Sequence, residues 1–222
     1  MTHGGRGPTR ARLLPDDAAG RAAAIEALRA GGLVAMPTDT VYGVGVALDE
    51  PDGLPRLFAA KERPFDRAIV LLVADVEQAA SVGVLSPEAH VLADRFWPGG
   101  MTLVLAQAPG AALPSVLTAS ALTIGLRVPD HECPRAIARA LGPLPVTSAN
   151  LSGQPDARTA DEVLAQLGER IDLVLDGGPA RGGVPSTVVD CSGDRPRVLR
   201  AGAVGSADLA KALHEAGLQH QI

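Results

Sequence analysis

Apolar runs of strand length alternate with helix-length segments along most of this chain, and that alternation limits the fold more than any other feature of the sequence. Asp16 and Asp17 stand where a cap is needed, so a helix runs from there to about Ala30, and Gly31-Gly32 ends it. Leu33 to Met36 reads as a short buried strand running into Pro37. A second helix over Leu54 to Lys61 precedes the apolar strand Ala68 to Val73. Ser86-Pro87 opens a third helix that ends near Trp97-Pro98-Gly99-Gly100, with a strand from Met101 to Ala106 behind it. Leu122 to Val128 and Leu144 to Thr147 are further strands, separated by a helix from Pro134 to Leu141. Thr159-Ala160-Asp161-Glu162 is a capping box that starts another helix. Strands at Leu173 to Leu175, Thr187 to Asp190 and Arg197 to Leu199 follow, and Ser206 caps a last helix ending near Gly217. The pattern predicts one α/β domain over residues 16–222 on a mixed, twisted sheet, preceded by a Gly- and Arg-rich mobile tail over residues 1–15.

Composition narrows the function classes. Hydrophobic residues make up 46% of the 222 positions but aromatics only 2%, so the core is built from Ala, Val, Leu and Ile. The longest apolar run, Ala68 to Ala74, is far short of the roughly 20 residues that span a bilayer. The arginines near the start are followed by no apolar stretch, so they are not a secretory signal. Two cysteines, Cys133 and Cys191, are too few for a disulfide framework and lack metal-ligand spacing; they read as buried thiols. These features point to a cytoplasmic protein without a membrane segment. A net charge of −5 excludes a polyelectrolyte binder as a whole but leaves room for a local basic patch.

Several stretches combine strand ends, glycines and hydroxyl or basic residues, the places where loops carry function. Pro37 to Gly45 offers Thr38, Asp39 and Thr40, either to hold a small polar ligand or to form a Ser/Thr turn before a tight glycine turn. Lys61, Arg63 and Arg67 lie within seven residues. They form either a polyphosphate grip or favourable charge at a helix C-terminus. Arg127 interrupts an apolar strand, and a buried arginine needs an anion, whether from the protein or from a ligand. Ser148 and Asn150, two apart beyond a strand, suit a phosphate or nucleotide, or simply shape a loop. Ser186-Thr187-Val188-Val189-Asp190 and Arg200-Ala201-Gly202 repeat the hydroxyl-plus-arginine theme at strand ends. Other site types are missing: the sequence has no Walker motif, no G-x-G-x-x-G turn, no G-x-S-x-G elbow, and its five histidines form no triad or metal motif.

Taken in order, PTDTVYGVG, KERP, WPGGMTLVL, TIGLRVPDH, TSANLSG and STVVD with a terminal-strand arginine resemble the YrdC family of threonylcarbamoyl-AMP synthases, from about Gly31 to Gly202. The resemblance is to its single-domain (TsaC-type) members. It implies an open twisted sheet flanked by helices, with a large, concave, basic site. It also implies a reaction in which L-threonine and bicarbonate form a carbamate that attacks ATP. The products are threonylcarbamoyl-AMP and pyrophosphate, and a downstream complex transfers the threonylcarbamoyl group to tRNA. By this matching Lys61, Arg63, Arg67, Thr123, Ser148, Asn150 and Arg200 contact ATP. Thr40, Arg127 and Ser186 contact threonine, with Arg127 facing its carboxylate, so that the anion of the buried arginine is the substrate. No covalent nucleophile is implied, and Mg²⁺ would be carried mainly by the phosphates.

Two departures accompany the likeness. Leu72 stands where many relatives have a histidine thought to touch threonine. The chain ends soon after Arg200, whereas longer relatives add a second domain that covers the site. Three other readings compete: a double-stranded RNA-binding module, a divergent paralogue without threonine chemistry, and a carbamoyl-adenylate domain of hydrogenase maturation proteins. Net acidity and the lack of stacking aromatics weigh against the first, which would make contact with RNA directly. Intact KxR, SxN and STVVD elements weigh against the second. The third occurs in much longer, cysteine-rich chains.

Overall fold

A computed structural model describes residues 10–119 and 121–222. Among these described residues, eleven strands and seven helices follow one another. The strands are β1 (Arg12–Pro15), β2 (Val34–Met36), β3 (Gly43–Gly45), β4 (Val70–Leu72), β5 (Gly83–Val84), β6 (Met101–Gln107), β7 (Thr123–Arg127), β8 (Leu144–Ser148), β9 (Leu173–Asp176), β10 (Thr187–Asp190) and β11 (Arg197–Arg200). The helices are α1 (Ala18–Arg29), α2 (Gly53–Lys61), α3 (Val76–Ala80), α4 (Pro87–Phe96), α5 (Glu132–Leu141), α6 (Ala160–Leu167) and α7 (Ser206–Glu215). No helix among the described residues is long and apolar enough to cross a membrane.

The caps read from the sequence hold. Asp17 accepts the Gly20 N–H at 2.8 Å, Ser86 accepts that of Ala89 at 3.2 Å, and Thr159 accepts that of Glu162 at 3.2 Å. The Glu162 carboxylate returns a bond to the Arg158 N–H, one residue before the cap. Ser206 differs from expectation: Gly205 occupies the cap position, no side chain caps the helix, and Ser206 is its first helical residue. The expected tail is also corrected. Residues 1–9 lie outside the described residues, but Arg12–Pro15 pair in parallel with Leu173–Asp176 and so belong to the sheet.

The strands form one mixed sheet in the order β1-β9-β2-β3-β8-β4-β7-β6-β10-β11, with β5 paired to the end of β6. Alternation along each strand sends its side chains into different layers. Val34, Met36, Leu72, Leu173 and Leu175 join α1 and α5 in one core. Ala35, Leu71, Val73 and Val174 face the opposite, larger core with α2, α4, α6 and α7. Beyond the reach of α1 and α5 the alternation continues but the residues change. On β6, Met101, Leu103 and Leu105 enter the larger core while Thr102 and Val104 do not; on β7, Ile124 and Leu126 enter it while Thr123, Gly125 and Arg127 do not. Their uncovered face is the floor of a cleft.

A tight glycine turn is one of the two alternatives for Gly43-Val44-Gly45, yet these residues form a central strand antiparallel to both β2 and β8. Gly43 and Gly45 are glycines because β8 passes too close. A Cβ on Gly43 would lie 2.6 Å from Val146 Cγ1, and one on Gly45 would lie 2.8 Å from the Pro145 carbonyl oxygen. The turn that precedes them is real: the Thr40 N–H donates to Thr38 Oγ1 at 3.1 Å. Replacing Gly45 with alanine is expected to lower stability by about 1–3 kcal/mol through overpacking against main chain. A thermal melt would register it as a fall of several degrees, and an unchanged midpoint would refute the close-packing account.

Candidate functional site

The open face of the sheet holds a cleft of about 360 Å³. Thr40, Arg63, Thr123, Arg127, Ser148, Ser186 and Arg200 all line it, although they are scattered over the sequence from position 40 to 200. Strand ends do the gathering. Arg127 ends β7, Ser148 ends β8, Ser186 precedes β10 and Arg200 ends β11. Apolar side chains of Val70, Leu72, Val104, Val146 and Val188 fill the floor between them. Leu72 pairs in register with Arg127 on the neighbouring strand, so an aliphatic group stands beside the guanidinium.

Arg127 is buried, and three of its N–H positions are already engaged. Nε donates to the Gly99 carbonyl at 3.0 Å, Nη1 to Thr40 Oγ1 at 2.8 Å, and Nη2 to Asp39 Oδ1 at 2.6 Å. The carboxylate that compensates this charge within the fold is therefore Asp39, the protein partner that the sequence leaves open beside a substrate anion. Burial pushes the Arg127 pKa below its ordinary value, and Asp39 pulls it back. Thr40 is held in turn by Thr38, whose hydroxyl lies 3.1 Å from its own.

Ser186 and Arg200 form a second unit. Ser186 Oγ is 2.8 Å from Thr102 Oγ1, while Arg200 Nη2 donates to Ser186 Oγ at 3.1 Å and to its carbonyl at 2.8 Å. The loop between β9 and β10 reaches Ser186 by way of the Pro37–Tyr42 segment. The Tyr42 hydroxyl donates to the Gly178 carbonyl at 2.8 Å and accepts the Gly177 N–H at 3.1 Å. Gly182 N–H donates to the Asp39 carbonyl at 2.9 Å and Gly183 N–H to that of Thr40 at 2.7 Å. Burial of Tyr42 pushes its hydroxyl up to about 12, so it stays a neutral donor.

The structure places three expected residues differently. Lys61 is only 2% exposed and is not on the cleft wall. Its ammonium donates to the Ser148 carbonyl at 2.5 Å, to the Asn150 carbonyl, and to Asn150 Oδ1 at 3.4 Å. Asn150 is also off the wall; its Oδ1 accepts from Ser148 Oγ at 2.5 Å and its amide donates to the Leu151 and Gln154 carbonyls at 3.1 and 2.6 Å. Lys61 and Asn150 thus shape the turn that presents Ser148. Arg67 is exposed and outside the cleft lining; its carbonyl, with that of Ala68, accepts from Arg63, at 3.4 and 2.8 Å.

Three residues with a part in the site were not assigned from the sequence: Asp39 as the partner of Arg127, Thr102 beneath Ser186, and Asp156. Asp156 is the only carboxylate among the described residues that line the cleft. The alternation of Met101-Thr102-Leu103 was the available signal for Thr102; nothing local marks the other two roles. No group of three or more His, Cys, Asp or Glu among the described residues is placed to hold a metal. Both cysteines are buried, with thiol pKa values pushed up by burial, that of Cys191 to about 12.

A mixed sheet with one face left open as a cleft lined by hydroxyls and arginines defines an α/β protein whose sequence carries no P-loop motif. The chain belongs to the Sua5/YciO/YrdC family, whose model, described as "Telomere recombination", matches residues 26–202. It is 41% identical over 179 residues to the threonylcarbamoyl-AMP synthase of Bacillus subtilis, across 80% of this chain and 51% of that protein. It is 36% identical to the threonylcarbamoyl-AMP synthase of Vibrio vulnificus, across 80% of this chain and 96% of that one. The chain thus spans about half of the first relative and nearly all of the second. Among solved structures, Pyrococcus abyssi Sua5 complexed with L-threonine superimposes with a TM-score of 0.86 at 34% identity, covering 93% of this chain and 62% of that one. Escherichia coli YciO superimposes with a TM-score of 0.78 at 27% identity, covering 90% and 98%.

Burial lowers the Lys61 pKa from 10.5 to about 8, with Arg63 adding to the effect and Asp156 opposing it. Between those values the unfolded chain holds a proton that the folded protein lacks, so this group adds stability as pH rises through the window. Urea midpoints of the wild type relative to Lys61→Met should therefore rise from about pH 7.5 to about pH 9.5. A constant difference would mean that Lys61 keeps its ordinary pKa.

Proposed function

We propose that this chain is an L-threonylcarbamoyladenylate synthase, a nucleotidyltransferase that converts L-threonine, bicarbonate and ATP into threonylcarbamoyl-AMP and pyrophosphate. The observation that carries the reading is the convergence of Thr40, Arg127 and Ser186 with Arg63, Thr123, Ser148 and Arg200 on one cleft, in a chain similar to named synthases. The relative solved with L-threonine supports the amino-acid substrate.

In this reading the threonine carboxylate meets the N–H groups of Arg127 that Asp39, Thr40 and Gly99 leave open, together with the Thr40 and Ser186 hydroxyls. The amine of threonine adds to the carbon of bicarbonate, and the bicarbonate hydroxyl leaves with the amine proton as water, giving a carbamate. A carbamate oxygen then attacks the α-phosphorus of ATP, and the bond to the β-phosphate oxygen breaks as pyrophosphate leaves. Arg63 and Arg200, with Thr123 and Ser148, neutralise and orient the phosphates. Lys61 and Asn150 act by holding the Ser148 turn, and Arg67 by bracing Arg63 through its carbonyl. Catalysis then consists of holding two reactants in line and stabilising charge, which calls on no protein nucleophile. Mg²⁺ would be carried mainly by the phosphates of the nucleotide substrate, whose charge it would help to neutralise.

The product would pass to the complex that transfers the threonylcarbamoyl group to tRNA, and on this reading the protein works in the cytoplasm. Pyrophosphate release from ATP and bicarbonate should depend on L-threonine, with serine a poor substitute, and the product should have the mass of threonylcarbamoyl-AMP. ATP binding without such release would favour a divergent paralogue, and salt-sensitive duplex RNA binding alone would favour the RNA module. Arg63→Ala should raise the KM for ATP about tenfold or more with the fold retained. A lowered melting temperature with an unchanged KM would return Arg63 to a helix-end role.

A further inference from the structure

Arg127 sits in an unusual frame. Its side chain is 8% exposed and that of Asp39 is 12%, so neither charge has much water to satisfy it. Isolated, such a guanidinium would be costly to bury. Neutralising it would require only a carboxylate nearby, yet the frame does more. Nε, Nη1 and Nη2 each have a different acceptor, from the Gly99 carbonyl, Thr40 and Asp39. Three acceptors around a planar group fix both its position and its rotation. Two of them are neighbours in the chain, so the Asp39-Thr40 turn works as one template for the plane.

The same turn is tied to the other wall of the cleft. The carbonyls of Asp39 and Thr40 receive the Gly182 and Gly183 N–H groups at 2.9 and 2.7 Å, and that loop leads to Ser186. Asp39 therefore links the end of β7 through its side chain to the loop before β10 through its main chain. We propose that Asp39 is a positioning residue: it orients the Arg127 guanidinium so that the remaining N–H groups meet the substrate carboxylate by direction and not by charge alone. This rests on the reading of the cleft as an amino-acid site.

An alternative makes the opposite prediction. Were Asp39 merely a counter-charge, removing it would leave the charge of Arg127 uncompensated and the cleft a better trap for any carboxylate. Asp39→Asn keeps the shape and removes the charge. It should raise the KM for threonine about thirtyfold or more while leaving the KM for ATP within about twofold. Asp39→Glu retains charge but shifts it, and its threonine KM should fall between wild type and Asp39→Asn. A threonine KM that falls in Asp39→Asn, or one that matches wild type in Asp39→Glu, would overturn the proposal. Should the asparagine variant fail to fold, the glutamate variant decides alone.

A second readout does not depend on the substrate. In the wild type the Arg127 guanidinium should give resolved, slowly exchanging ¹⁵N–¹H signals, because its rotation is locked. These should collapse in Asp39→Asn or broaden in Asp39→Glu, and signals that persist in both would overturn the clamp. If the wild type proved inert toward threonine while the signals still collapsed, the functional reading would fall and the clamp would stand.

Discussion

Everything at the site follows from uneven coverage of a sheet whose strands have two faces. A strand in the interior of this sheet must dispose of side chains above and below. Where α1 and α5 lie over it, both sides are aliphatic, as Val34, Ala35 and Met36 show. Where those helices run out, the covered side stays aliphatic and the other turns to Thr102, Thr123, Gly125 and Arg127. The cleft is thus the unroofed part of an otherwise ordinary two-layered core, and its floor inherits the rigidity of the ladder beneath it.

Buried charge gives the site its second organising principle. Arg127 and Lys61 are both charged groups removed from water, and each is satisfied by several oxygen acceptors supplied by other segments. Leaving such a group without partners is costly, so both specify their surroundings narrowly. Arg127 dictates the shape of the Asp39-Thr40 turn, and Lys61 dictates the turn at Ser148 and Asn150. Among the described residues no buried side-chain nitrogen or oxygen lacks a partner.

How much of this could be read from sequence depended on range. Helix starts at Asp17, Ser86 and Thr159 were legible because a cap is a contact across three residues. Strands β6, β7 and β10 were legible from their apolar content. Strand β3 was not, since glycines signal a turn locally and only the approach of Val146 and Pro145 makes them strand residues. Strand β1 was hidden by a tail-like composition and is defined by pairing with β9, far away in the chain. The residues around the cleft were recognisable as motifs, but their division into wall and support was not. Lys61 and Ser148 are 87 residues apart, and Arg127 and Asp39 are 88 apart. Nothing in a local pattern reveals that a lysine in a basic run points inward at carbonyls.

The bonds from Gly182 and Gly183 to the carbonyls of Asp39 and Thr40, and from Tyr42 to Gly177 and Gly178, are made mostly by main chain. Main-chain partners are indifferent to side-chain identity but strict about spacing. The stretch from Gly177 to Ser186 must span one fixed distance while presenting N–H groups at set intervals along it. Drift in this protein can therefore change the letters between the glycines of that loop more freely than their number; Gly178 and Gly183 have positive φ, and a Cβ on Gly177 or Gly182 would lie 2.7 Å from Pro37 or from the Asp39 carbonyl oxygen. An inserted or deleted residue would put Ser186 out of step with Arg127 and Thr40, although every residue of the cleft wall were still present.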